Sequence, residues 1–338
     1  MGVNLRDILI FQEKELDDFK GKIIAIDSYN MLYQFLASIR TMDGQLLTDG
    51  KGRVTSHIIG LFSRTTNFLA KGIRPIFVFD GKAPELKAKE IHRRFEAKQE
   101  AKKKYQQAVA TEDVESMKKY AARFIYLTPE MVSEAKELVR LLGLPIVQAP
   151  SEGEAQASHI VTNGDAWAVG SQDYDSLLYA TPRLLQNLSI AGRKKKIHGM
   201  GTRIVMPSMI DLAQNLSNLK IDQDRLIALA MLIGTDYNPG GIHGIGPKKA
   251  LKLVQQHTKV EQIFKAVEWE KHTTTPWQEI FDLFKKMPVT DDYKIKWGSP
   301  DVKGINEFLV NERGFSEERV IKGLEPLKKQ QSGLGNWL

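Results

Sequence analysis

Asp27 closes the apolar run KIIAID and Asp80 closes PIFVFD. Glu152 and Glu154 follow LPIVQA in the segment APSEGEA, Asp173 and Asp175 follow AWAVG in GSQDYD, and Asp236 ends LIALAMLIGTD. In open α/β sheets, ligands bind in the crevice outside the carboxyl ends of the strands. Four of these five clusters fall at such ends. Seven converging carboxylates cannot all stay ionised, because like charges raise one another's pKa. Hard divalent cations bound through oxygen neutralise such a cup, and Mg²⁺ keeps coordination positions for water and substrate phosphate. The chemistry suggested is two-metal cleavage of phosphodiester bonds. Taken singly, each acid also reads as a turn or cap residue. Ser151 and Glu154 spell a capping box, S-x-x-E, before the helical stretch EAQASHIV, and Asp80 precedes Gly81 in turn chemistry. Periodicity alone does not bring the acids together in space.

A sheet must position these residues. Apolar runs alternate with helical patterns to about residue 240, which argues for an α/β fold with a mostly parallel twisted sheet flanked by helices. Strands are expected at residues 22–26, 75–79, 145–148 and 166–170, with 184–189 and 202–206 as a later pair. Helices are expected at 30–40, 55–71, 129–142 and 154–162. Residues 82–123 break this rhythm, with twelve Lys or Arg against seven Asp or Glu. So polar a stretch does not read as a core helix; it is a helical insertion over the carboxyl edge of the sheet or a solvated helical pair. Lys87, Arg94 and Lys98 fall on one helical face, and a basic face beside an acidic metal site suits a polyanionic substrate. After residue 240 the pattern turns all-helical, with Trp269, Trp277, Trp297 and Phe308 expected in the core. The end, KKQQSGLGNWL, has the composition of a flexible tail.

The bulk composition is that of an ordinary globular protein, with 42% hydrophobic and 26% charged residues in 338. No apolar run approaches the ~20 residues of a membrane span, and no secretory signal is evident. Arg6 stands where a myristoylation motif needs Ser or Thr. The absence of cysteine excludes disulfides, thiolate metal sites and a cysteine nucleophile. It fits an intracellular chain and is compatible with a thermophilic source. Lys and Arg outnumber Asp and Glu by 48 to 41, and the pI is about 9.2. Such a balance suits phosphate contacts as well as a merely solvated basic surface.

The stretch GGIHGIGPKKALKLV has the form of a helix–hairpin–helix. Gly244 and Gly246 permit a tight turn and close backbone approach, Pro247 opens a helix whose amides can hold a phosphate, and Lys248 and Lys249 add charge there. With this motif the sequences AIDSYNMLYQF, FVFDGKAPELK, APSEGEAQA, GSQDYDSLL and IGTDYNPGGIHGIGPKKA resemble, in order and spacing, the flap endonucleases, most nearly archaeal members. The resemblance runs over essentially the whole chain. It implies a structure-specific 5′ nuclease that cleaves near the base of 5′ flaps, with 5′-3′ exonuclease activity, in replication (Okazaki fragment maturation) and repair.

The resemblance implies two Mg²⁺ ions, replaceable by Mn²⁺, with Asp27, Asp80, Glu152 and Glu154 about the first and Asp173, Asp175 and Asp236 about the second. Lys87 and Arg94 match residues that contact the scissile phosphate, and Tyr33 matches an aromatic that stacks on the nearby base. Gly2 would carry the free α-amino group near the site once Met1 is removed. Arg40 is counted with the DNA contacts, and Thr55 and Arg319 match positions near a pocket for a one-nucleotide 3′ flap. Gln331, Leu334, Trp337 and Leu338 spell Q-x-x-L-x-x-W-L, resembling the peptide that docks on the replicative sliding clamp (PCNA). Leu338 departs from the commoner double aromatic. The implied organisation is a single nuclease domain, 1–325, and a flexible tail, 326–338. Within the domain lie an arch or cap at about 82–128, a helix–hairpin–helix region at about 226–260 and C-terminal helices at 261–325. The expected molecule is a monomer in the cytoplasm of an archaeal cell, or in the nucleus if eukaryotic. A noncatalytic clamp adaptor would not need the full acidic set. A 5′ exonuclease, a Holliday-junction resolvase and an excision-repair nuclease remain alternatives within the superfamily. The 71 residues between Asp80 and Glu152 suit a compact arch.

Overall fold

The computed structural model describes residues 2–41, 44–195 and 202–333. Seven strands form one sheet in the order β1 (Gln12–Glu13), β9 (Ser208–Asp211), β6 (Arg183–Gln186), β5 (Ala168–Gly170), β2 (Ile23–Asp27), β3 (Arg74–Phe79) and β4 (Ile146–Gln148). The pairs β2–β3, β2–β5, β3–β4 and β5–β6 are parallel, and β9 runs antiparallel to both β6 and β1. Chain order proceeds outward from β2 to β3 and β4, then returns to β5 and proceeds the other way. The carboxyl ends of β2 and β5 therefore flank the topological switch point, where such sheets bind ligands.

The central strands are buried on both faces, and their alternation sorts side chains into two cores. Ile24, Ile26, Phe77 and Phe79 belong to one, and Ala25, Ile76 and Val78 to the other. The first core takes in residues of α1 (Ser28–Ser38), α2 (Ser56–Ala70), α5 (Pro129–Leu141), α13 (Val302–Asn306) and α14 (Glu317–Gly333). The second takes in α6 (Gly153–Thr162), α7 (Asp175–Leu178), α8 (Leu212–Leu219), α9 (Gln223–Ile233), α10 (Pro247–Gln256), α11 (Val260–Ala266) and α12 (Trp277–Lys285). Helix α9 is buried without a break from Leu226 to Leu232, as a helix apolar on all sides must be. Trp269 and Phe308 are buried, while Trp277 and Trp297 pack on the cores partly exposed. The insertion is a long helix, α3 (Ala88–Ala110), turning into α4 (Val114–Ala121). Among the described residues no helix is long and apolar enough to cross a membrane.

Two expectations are overturned. Residues 184–189 and 202–206 do not pair with each other. β6 pairs with β5 and β9, whereas β8 (Thr202–Val205) pairs with β7 (Gly192–Lys195) in a separate two-stranded ribbon. Pro207, which has no amide hydrogen, separates β8 from β9, the strand that completes the sheet. The capping box at Ser151 does not form either. Glu152 is the cap position of α6, with no capping side chain, and Ser151 Oγ donates to the Lys82 carbonyl instead. Helix α14 runs on to Gly333. Leu334, Trp337, Leu338 and the side chain of Gln331 lie outside the described residues.

Candidate active site

Strand ends and helix starts deliver six of the acids to one cup, and the turn after α9 brings Asp236. Asp27 ends β2 and also caps α1, its Oδ1 accepting from the Asn30 amide at 3.0 Å. Its Oδ2 accepts from Ser171 Oγ at 2.9 Å, and the same hydroxyl lies 3.2 Å from Glu154 Oε1. Asp80, just past β3, accepts from the Gly153 amide at 2.7 Å, so it supplies the first turn of α6 with the partner its own sequence lacks. A Cβ at Gly153 would lie 2.3 Å from Asp80 Oδ1, which reserves the position for glycine. Asp173 accepts from Asn30 Nδ2 at 3.0 Å and lies 3.4 Å from the Gly2 nitrogen. Asp175 opens α7 and accepts from the Val3 amide at 2.8 Å. The N-terminal segment thus closes one wall of the cup, and a Cβ at Gly2 would collide with Asp175.

Lys87, at the foot of the insertion, reaches across this cup. Its Nζ is 2.6 Å from Glu152 Oε2 and 3.3 Å from Asp236 Oδ2. Arg94, two turns further along, pairs with Asp236 through Nη2. Burial opposes the charge on Lys87, but Glu152 and Asp236 outweigh it and its pKa rises. Four acids are left poorly compensated. Burial, then repulsion from Asp80, pushes Asp27 up to about 8. Burial and Glu152 push Asp80 up to about 6. Burial, then Asp173 and Asp236, push Asp175 up to about 7. Glu154 is raised by burial and by Asp175, Asp27 and Asp173.

The donor set is oxygen only, with neither histidine nor thiolate among the seven, which is the chemistry of hard divalent cations. As the side chains stand, no group of three or more among the described residues closes to ion-holding spacing; Lys87 and Arg94 lie against Glu152 and Asp236. The crowding gives a test. A carboxyl whose folded pKa is raised favours folding while protonated, so its contribution is complete below about pH 4 and is lost as pH rises through about 6 to 8. Cation-free protein is expected to lose thermal stability over that range. Saturating Mg²⁺ should then raise the melting temperature by on the order of 5 °C at about pH 8.5 and much less at about pH 5.5. Equal shifts at both pH values in differential scanning calorimetry would contradict a crowded, cation-binding cup.

Other expected residues lie at the edge of the cup or away from it. Tyr33 on α1 faces the insertion, with Lys98 Nζ 5.1 Å from its ring centroid. Arg40 is drawn back onto the carbonyls of Leu36 and Gly44, at 2.8 and 2.7 Å, and ties down the end of α1. Thr55 and Arg319 meet in one groove of about 640 Å³, which Phe62, Phe315 and Arg313 also line. The hairpin is a separate element. Gly244 takes a left-handed φ of 76°, while Gly246 is extended, caps α10, and has open space where a Cβ would be. A tight approach occurs instead at Gly241, whose Cβ would lie 2.4 Å from the Leu232 carbonyl. Lys248 is exposed, and Lys249 Nζ donates to the Gly244 carbonyl at 3.0 Å. Asn30 and Ser171, which orient three of the acids, were not singled out from the sequence. Their one signal there is a polar residue inside an acidic motif that directly follows a buried strand.

Comparison with known proteins agrees with this geometry. Residues 1–101 match the XPG N-terminal domain and residues 143–236 the XPG I-region. The chain is 46% identical to flap endonuclease 1 of Staphylothermus marinus, over 100% of this chain and 99% of that one. It is 48% identical to flap endonuclease 1 of Pyrococcus abyssi, over 100% and 98%. The structure of flap endonuclease-1 from Methanococcus jannaschii superposes with a TM-score of 0.78 at 43% identity, covering 98% of this chain and 99% of that one. With identity of this extent along its whole length and an acidic cup at the switch point of its sheet, the chain belongs to the flap endonuclease family.

Proposed function

We propose that the protein hydrolyses a phosphodiester bond near the base of 5′ flaps in branched DNA, with 5′-3′ exonuclease activity, in replication and repair. The observation that carries this reading is the seven-carboxylate cup at the ends of β2 and β5, with Lys87, just before α3, and Arg94, on α3, reaching into it. Asp27, Asp80, Glu152 and Glu154 would hold one divalent ion and Asp173, Asp175 and Asp236 a second, Mg²⁺ or Mn²⁺. When bound, such ions lower the pKa of an attacking water and stabilise the leaving oxygen. The remaining work falls to the chain itself. Asn30 and Ser171 fix the carboxylates of Asp27, Glu154 and Asp173. Lys87 and Arg94 offset charge that develops on the phosphoryl oxygens. The Tyr33 ring, beside the insertion, stacks on the base next to the scissile bond, and the unpaired 5′ strand passes α3 and α4. The groove at Thr55 and Arg319 takes the 3′ end, and the Gly2 amino group completes the wall beside Asp173.

The hairpin holds duplex DNA through its backbone, a contact that sets position and carries no sequence information. Replacing Lys248 with Ala is expected to lower the slope of log Kobs against log salt by about one, with the cleavage position unchanged. An unaltered slope in fluorescence anisotropy would place the duplex elsewhere. The Q-x-x-L-x-x-W-L tail docks on the sliding clamp, and the enzyme acts beside it as a monomer. Product mapping on a labelled double flap, with and without chelator and against a four-way junction, tests the whole reading. Predominant junction cutting, or cleavage that survives chelation, would overturn it.

A further inference from the structure

Helix α3 is basic and solvated, yet one carboxylate within it is almost wholly buried. Glu90 is 3% exposed, and the other buried residues of the helix are Ala101 and Ala108. Burying a carboxylate is costly unless charge and hydrogen bonds compensate it. Two guanidinium groups do so here. Glu90 Oε2 accepts from Arg93 Nε at 2.7 Å, and Oε1 accepts from Arg93 Nη2 at 2.8 Å and from Arg94 Nε at 2.5 Å. The spacings are i,i+3 and i,i+4, so one turn of helix sets the geometry. Arg93 points outward, its side chain 64% exposed, whereas Arg94 is 33% exposed and continues past Glu90 to Asp236.

Arg94 is therefore pinned at both ends of its guanidinium group, by Glu90 at Nε and by Asp236 at Nη2. The two contacts are not equivalent. Asp236 is among the acids proposed to hold an ion, and a carboxylate facing an ion no longer holds Arg94. Glu90 lies on the same helix as Arg94 and has no such second duty. From this we infer that Glu90 is a positioning residue, keeping the Arg94 guanidinium at the rim of the cup and turned toward the phosphate when Asp236 lets go. The inference rests on the reading of Arg94 as a phosphate contact. Charge alone argues for the opposite effect, because Glu90 subtracts one unit from the positive field of α3 and its removal would strengthen attraction of DNA. Orientation and charge thus predict opposite signs.

The experiment uses full-length protein carrying Glu90→Ala, Glu90→Gln, Arg94→Ala and the double substitution Glu90→Ala/Arg94→Ala. Single-turnover flap cleavage, DNA Kd without divalent cations, and melting temperature are measured for each. Glu90→Ala is expected to slow cleavage about 10- to 100-fold with Kd unchanged. Glu90→Gln, which keeps an acceptor oxygen and the shape, should lie between it and the parent and covers the case in which the alanine variant fails to fold. In the Arg94→Ala background, Glu90→Ala should cost nothing further, the non-additivity of two groups acting as one. Cleavage at or above the parental rate in both Glu90 variants, or an equal loss with and without Arg94, would overturn the inference while leaving the role of Arg94 intact. Parental cleavage by Arg94→Ala would take down both.

Discussion

An Asp173→Asn variant is expected to bind double-flap DNA within about twofold of the parent and to cut it on the order of a thousandfold more slowly. The substitution keeps the shape of the side chain and changes its charge. Asp173 lies in the cup, partly buried, held by Asn30 Nδ2 and facing the Gly2 nitrogen, while the proposed duplex grip at Gly244–Lys249 is a separate element. DNA affinity should therefore survive. Stability in the absence of cations should not fall either. Asp173 is one of the charges raising Asp27, Glu154 and Asp175, so neutralising it relieves three neighbours at the cost of one imperfect amide contact. Unfolding midpoints with and without Mg²⁺, beside single-turnover rates, check the prediction. Cleavage within tenfold of the parent at saturating Mg²⁺ would remove Asp173 from the chemistry.

Much of the frame was legible in the sequence because strand burial writes itself in pattern. β2 and β3 read as continuous apolar runs since both faces are covered, and their last residues marked where the acids had to sit. What escaped depends on partners distant in the chain. β1 is two residues long and exists only as an edge on β9, so no local periodicity announces it. The run at 202–206 has strand-like residues, but they pair with β7 in a separate ribbon and not with the main sheet. Ser151 and Glu154 have the right spacing for a capping box. Asp80, from another strand, captures the amide of Gly153 first, a tertiary contact overriding a local one. Nothing in the sequence sets Glu90 apart from the other charges of this polar stretch, because an i,i+4 acid–base pair is ordinary on a helix. Its burial appears only once α3 is docked against the cup. Of the Q-x-x-L-x-x-W-L peptide the structure says nothing, since its apolar residues lie outside the described part.

Lys87→Ala and Arg94→Ala should each lower the single-turnover rate about 10²- to 10³-fold, the usual effect of removing one preorganised group aimed at transition-state charge. DNA Kd should change little. The Lys87 side chain is 17% exposed and touches two carboxylates, which hold its ammonium protonated against the pull of burial. In cation-free protein its loss leaves Glu152 without its 2.6 Å partner, a destabilisation of about 1–3 kcal/mol. Mg²⁺ should recover that stability, because an ion replaces the missing positive charge, but not the rate, because an ion held by the carboxylates does not sit where the ammonium meets the phosphoryl oxygen. Asp173→Asn and Lys87→Ala would then share a collapse of cleavage and differ in sign on cation-free stability, the first neutral or stabilising and the second destabilising. A fold defect cannot produce that divergence, since it would move both variants the same way. If Lys87→Ala lost rate and regained it in step with Mg²⁺-restored stability, the lysine would be a strut of the empty cup and not a participant in phosphoryl transfer.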